Sequence, residues 1–193
     1  MLRPLILAST SPRRQSLVAE LGIPFTISAP TLEQETLDPA LPLAEALEHL
    51  ALEKARSVAR DNPQALVLGA DTIVCKDDAL LGKPRDVAHA ARMLRTLSGA
   101  EHQVITAVAL TCAESQKSIT RHAQSSVHFR TLSEQEIQDY IASREPLDKA
   151  GAYGIQGQGG KFVEKLQGPY DNVVGLPLDL VRQMLAEWEE EDQ

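Results

Sequence analysis

The pattern of apolar and polar positions changes period along the chain, and each change predicts an element. Residues 4–8 are a short apolar run, a buried strand. Ser11 before Pro12 is the arrangement that starts a helix; Leu17, Val18 and Leu21 share a face, and Gly22 ends it. Phe25 to Ile27 predicts a second strand, followed by an acidic loop with Glu33, Glu35 and Asp38. From Pro42 to about Arg60, Leu43, Leu47, Leu50, Ala51, Ala55 and Val58 form a helical stripe. Ala65–Cys75 reads as a strand, Lys76-Asp77-Asp78-Ala79 as a hairpin turn, and Asp86 as the cap of a helix that runs through Leu97 and stops at Ser98-Gly99. His102–Cys112 and Ile119–Phe129 predict a long hairpin. Ser133 with Glu136 is a capping box, opening a helix with Ile137, Tyr140 and Ile141 inward. A glycine-rich stretch, 151–161, precedes a predicted short strand at Asn172–Gly175. Leu176-Pro177 then begins a last helix with Leu180, Met184, Leu185 and Trp188 on its inner face. Strands alternate with helices first and a hairpin follows, so the expected class is α/β with a mixed sheet and flanking helices.

Length and composition narrow the picture. The 193 residues contain no internal repeat or long linker, so one domain, or one domain with two lobes, is expected over 1–193, with an acidic solvated tail at about 189–193. The hydrophobic share of 43% is an ordinary globular value. A net charge of −8 repels nucleic acid and anionic membranes, so an anionic ligand needs a focused cluster of cations. Cys75 and Cys112 both sit in apolar runs and read as buried, reduced thiols rather than a disulfide or zinc framework. No stretch approaches a membrane span or a signal peptide, and the cytoplasm is the expected location.

Three local departures from the pattern carry candidate chemistry. Ser9-Thr10-Ser11-Pro12-Arg13-Arg14 joins a buried strand to a helix N-terminus, where backbone N–H groups and guanidinium forks favour anions; a plain capped helix with surface arginines is the alternative. Asp71 interrupts an apolar strand, which points to a metal ligand or a general base if the strand continues through Ile73-Val74-Cys75, and to a surface bend if it ends at Gly69. Lys54 lies on the apolar stripe of its helix and must either snorkel or meet an anion. Lys83, in Gly82-Lys83-Pro84, is by itself a loop lysine. Together these positions supply four cations and a carboxylate, the mixture that a metal-bound nucleoside triphosphate requires. His89 and His102 read as surface residues, and Tyr153 either stacks on a base or packs within its loop.

The order of motifs resembles the Maf family of nucleotide pyrophosphatases. Leu7-Ala8-Ser9-Thr10-Ser11-Pro12-Arg13-Arg14, Glu53-Lys54-Ala55, Gly69-Ala70-Asp71-Thr72, Gly82-Lys83-Pro84 and Asn172-Val173-Val174-Gly175-Leu176-Pro177 follow one another as in that family. The resemblance implies an α/β fold with two lobes around a nucleotide cleft, and cleavage between the α and β phosphates with a divalent metal, Mg²⁺ or Mn²⁺. It implies Asp71 as catalytic proton acceptor and metal ligand, with Glu33 as a second ligand. It implies Ser9, Arg13, Arg14, Lys54 and Lys83 on the phosphates. Family members often carry paired acids after the second strand, where this chain has Glu33-Gln34-Glu35. Within the family, the run Asp148 to Tyr153, together with Arg13, Thr72 and Gln156, resembles the branch acting on dTTP and UTP; the 7-methyl-GTP branch has a bulky aromatic at the place of Arg13. An amide at Gln156 can both donate to and accept from a pyrimidine edge. A homodimer is also implied. The alternatives are a nucleotide-binding regulator of division without turnover, and a pyrophosphatase for noncanonical purine or 7-methylated guanosine triphosphates.

Overall fold

The computed structural model describes residues 3–77 and 79–191, the side chain of Glu191 excepted. Seven strands form one mixed sheet in the order β2-β1-β3-β5-β6-β7, with β4 on β3. They are β1 (Leu5–Leu7), β2 (Phe25–Ile27), β3 (Leu66–Lys76), β4 (Ala79–Leu81), β5 (Glu101–Cys112), β6 (Lys117–Phe129) and β7 (Val163–Gln167). The helices are α1 (Pro12–Ala19), α2 (Leu43–Ala59), α3 (Val87–Leu97), α4 (Glu134–Ala142), α5 (Tyr170–Val174) and α6 (Leu178–Glu191). β1 pairs in parallel with β2 and β3, whereas β3–β4 and β6–β7 are antiparallel. Among the described residues, no helix is long and apolar enough to cross a membrane.

The chain forms two compact units. The first takes in the chain as far as Asp71, Thr106–Ala123 and the part from Gly175 onward; the second comprises Thr72–Ile105 and Gln124–Val174. In the first unit, β1 is buried along its whole length, and α1 and α2 bury Leu17, Val18, Leu47, Leu50, Ala51 and Ala55. Gly69 is the contact point of α2 with β3: a Cβ there would stand 2.4 Å from the Ala51 carbonyl oxygen, so only a glycine lets the helix backbone approach so closely. In α6 the buried positions include Leu178, Val181, Met184 and Trp188, while Leu180 and Leu185, expected inside, are half-buried. The acidic end expected as a tail is helical as far as Glu191, and Asp192 and Gln193 lie outside the described residues.

The second unit packs around Val74, Leu94, Leu97, Phe129, Ile137 and Phe162. Asp86 caps α3 through the His89 amide, and the Ser133–Glu136 capping box opens α4 as expected. Asp78 of the expected hairpin turn lies outside the described residues, but β3 and β4 pair across it. Three expectations need correction. Residues 172–174 belong to the short helix α5, not a strand, because the Asn172 amide turns inward and donates to the Val104 carbonyl at 3.0 Å and Ser125 Oγ at 2.9 Å. His102 is buried, not surface-exposed; it shares a hydrogen bond of 2.9 Å with Tyr153 Oη and meets Phe129 edge-on. For Tyr153 the packed alternative is the one the structure shows. Cys75 is half-buried, while Cys112 is buried, and both are free thiols. β7, whose apolar and charged residues alternate weakly, was not expected.

Candidate active site

In the first unit the chain leaves β1 held by the Ala8 amide on the Leu68 carbonyl at 2.8 Å, which brings Ser9 into the interior. Ser9 Oγ accepts from the Ser11 amide at 3.2 Å, shaping the turn. Ser11 caps α1, its Oγ facing the Arg14 amide at 3.5 Å, and Pro12 occupies the first turn. The turn thus ends in a helix N-terminus with partial positive charge, with Arg13 and Arg14 following directly.

Arg14 is the better anchored of the two. Its Nε donates to the Gly175 carbonyl at 2.9 Å, and Gly175 has φ +128°, a conformation side chains rarely adopt. The Asn172–Pro177 motif therefore has a mechanical role: Asn172 ties down one end of it, and Gly175 turns a carbonyl onto Arg14. Burial pushes the Arg14 guanidinium below its usual pKa; Asp71 opposes that shift, Arg13 adds to it, and Glu35 opposes it. Arginine remains charged under such shifts, so a partly desolvated cation is held in the field of Asp71, Arg13 and Glu35.

Lys54 meets anions, as one of the two readings of its stripe position required. It is buried at 6% exposure, and its Nζ donates to Asp71 Oδ1 at 2.7 Å and to Glu35 Oε2 at 2.8 Å. α2 delivers Lys54, β3 delivers Asp71 at the end of the apolar run Leu66–Ala70, and the acidic loop delivers Glu35. The Asp71 side chain is 18% exposed and that of Glu35 is 53% exposed, so both carboxylates keep an open side toward solvent. Glu33 is exposed in the same loop, and it is Glu35 that reaches Lys54. Among the described residues, no group of three or more His, Cys, Asp or Glu side chains could hold a metal by itself. Two nearby carboxylates nevertheless fit a Mg²⁺-like ion, which takes one or two carboxylates and completes its shell with phosphate and water.

Thr72, Lys83 and Gln156 belong to the second unit. Thr72 is half-buried in β3. Lys83 is exposed on a loop whose Gly82 carbonyl accepts from the Gly151 amide at 3.2 Å. Gln156 is exposed in a turn of the glycine-rich stretch. Arg13, Arg14, Glu35, Lys54 and Asp71 thus form one charge cluster within the first unit. In the sequence Glu35 was one acid of a loop and part of the departure from a family pattern, and nothing set it apart from Glu33, since a loop residue has no period to break.

A model of the family described as Maf-like protein matches residues 4–188. A dTTP/UTP pyrophosphatase of Symbiobacterium thermophilum is 48% identical over 97% of this chain and 95% of its own length. The protein of the same name from Moorella thermoacetica is 52% identical over 94% of this chain and 93% of its own. That from Salmonella typhimurium is 52% identical over 94% and 91%.

Proposed function

The chain belongs to the Maf family, and from that premise we propose that it hydrolyses dTTP and UTP to the nucleoside monophosphate and pyrophosphate. The observation that carries this reading is the buried Lys54 bridging Asp71 and Glu35 beside Arg14, a site of fixed charges with open carboxylate faces. The names of relatives at about half identity over nearly the whole chain support the substrate class.

In the mechanism we propose, Arg13, Arg14 and the amides of the Ser9–Ser11 turn take phosphate oxygens, with Lys83 as a further cation. Lys54 keeps the Asp71 carboxylate in one orientation. Asp71 accepts a proton from the attacking water. The new bond to the α-phosphorus forms as its bond to the bridging oxygen breaks, and that oxygen leaves with pyrophosphate. A bound Mg²⁺ or Mn²⁺ would neutralise phosphate charge and polarise the phosphorus; Asp71 with Glu35, or with Glu33, would hold it. Thr72, Arg13 and Gln156 would select the base, Gln156 through an amide that offers both a donor and an acceptor. The same reading has the protein work in the cytoplasm as a homodimer, which fractionation and sedimentation test.

The decisive experiment measures pyrophosphate release from a panel of triphosphates with Mg²⁺ or Mn²⁺, wild type beside Asp71→Asn. The expected result is turnover of dTTP and UTP that falls by about 10²–10⁴-fold in the variant, the range for loss of a positioned general base. Preference for ITP, XTP or 7-methyl-GTP would overturn the substrate assignment, and full activity of Asp71→Asn would overturn the base. Tight nucleotide binding without any turnover would leave a regulator in place of an enzyme.

A further inference from the structure

The turn that carries Gln156 is held at both ends by two side chains with no part in the hydrolysis. The Gly157 amide donates to the Gly154 carbonyl at 3.2 Å, closing a four-residue turn with the exposed Gln156 at its third position. On the near side, the buried Tyr140 Oη of α4 accepts from the Gly154 amide at 3.0 Å and donates to Glu145 Oε1 at 2.9 Å. On the far side, the Glu145 carboxylate accepts from the Gln158 amide at 3.0 Å and from the Gly159 amide at 3.4 Å. The glycines make room for these groups. A Cβ on Gly157 would stand 2.2 Å from Glu145 Oε1, and one on Gly159 would stand 2.7 Å from Tyr140 Oη. Arg144, immediately before Glu145, takes the left-handed conformation at φ +62°, a strained setting for a residue with a side chain. Lys149 Nζ donates to the Glu145 carbonyl at 2.7 Å and fixes the backbone behind the carboxylate.

We infer that Tyr140 and Glu145 form a clamp that presets the Gln156 turn, and that they are positioning residues for the choice of a pyrimidine triphosphate. The inference rests on the reading of Gln156 as the residue that meets the base. A glycine-rich turn is costly to order, and an amide that reads a base edge must be in place before the base arrives. A carboxylate accepting backbone N–H groups is the stronger, charge-assisted kind of hydrogen bond, and the Tyr140 hydroxyl links its two ends into one network. Tyr140 and Glu145 belong to the second unit and the charge cluster of Asp71 to the first, so the clamp is assigned to base recognition and not to the chemical step.

The test compares Tyr140→Phe, Glu145→Gln and Gln156→Ala, alone and combined, with dTTP, UTP and dATP as substrates. Tyr140→Phe and Glu145→Gln are each expected to raise KM for dTTP and UTP about tenfold, the effect of a lost hydrogen bond, with kcat and the dATP rate constant retained. In the Gln156→Ala background neither is expected to add a further loss, because all three act through one contact. Amide exchange is expected to quicken at Gly154 in Tyr140→Phe and at Gln158 and Gly159 in Glu145→Gln. Tyr140→Phe keeps its ring in the core and carries the test if Glu145→Gln does not fold. Unchanged selectivity in a folded Tyr140→Phe, with selectivity lost in Gln156→Ala, overturns the clamp and leaves the role of Gln156 standing. Unchanged selectivity in Gln156→Ala removes the base-reading role and, with it, the clamp's part in substrate choice, even where the exchange pattern is as expected.

Discussion

Lys54 shows what a single residue out of pattern can reveal. A cation buried to 6% exposure is tolerated because two carboxylates lie within 2.8 Å of it. Removing its charge while keeping its volume, as in Lys54→Met, takes from Asp71 and Glu35 the ammonium that both of them bind. Urea unfolding is expected to show a loss of about 1–3 kcal/mol, the cost of stranding a partly buried hydrogen-bonding group, with most of it from Asp71 because Glu35 is 53% exposed. Pyrophosphate release should fall in the same variant, and a variant with full stability and full turnover would contradict the pairing. At this scale Asp71 and Lys54 were legible because each breaks an apolar period. His102 was not: it stands at the start of a strand, where a polar residue looks like an edge, and its burial follows from Phe129 and Tyr153, which are remote in sequence.

Elements carry residues to the site, and α2 against β3 is the pairing that matters most. Ala51 and Ala55 of the helix meet Gly69 of the strand, and this close approach brings Lys54 down to Asp71, two residues beyond Gly69. Gly69→Ala would push a methyl to 2.4 Å from the Ala51 carbonyl and 2.9 Å from Ala55 Cβ. The neighbours are backbone and a short side chain, which cannot swing aside, so a destabilisation of about 1–3 kcal/mol is expected, as for an overpacked core. The displaced helix should also lengthen the Lys54–Asp71 contact and lower turnover; thermal unfolding and pyrophosphate release check the two parts separately. The long helices and strands were legible from periodicity because one face of each is buried. β7 and α5 were not. β7 is five residues long and buries none of them fully, and α5 contains the strand-like Asn172-Val173-Val174, whose propensity is overridden by the inward bonds of Asn172.

For the molecule as a whole, net charge and acid stability are set by different groups. The charge of −8 implies that carboxylates dominate the titration below neutrality. Glu134 and Glu136 are held down to about 2 by their hydrogen bonds to Arg95 and Arg130, so their stabilising contribution persists until strongly acid pH. His102 acts earlier on the way down in pH and in the same direction. Burial, and then the charges of His128 and Lys76, lower its pKa from 6.5 to about 4. The second ring nitrogen, Nδ1, has no hydrogen-bond partner among the described residues, so an imidazolium there would leave a buried N–H unmet. Between those two values the unfolded chain binds the proton and the folded one does not, so stability falls as pH drops from 6.5 toward 4 and levels off below. A gap of that size corresponds to about 3 kcal/mol for the unit that holds His102. His102→Gln keeps a polar group within reach of Tyr153 but does not titrate. Denaturant unfolding at a series of pH values should therefore give a wild-type curve that steepens between pH 6.5 and 4 and a variant curve without that segment. Parallel curves through this window would mean that His102 is protonated in the folded protein and that the tight packing of Phe129 and Tyr153 around it does not exclude the charge.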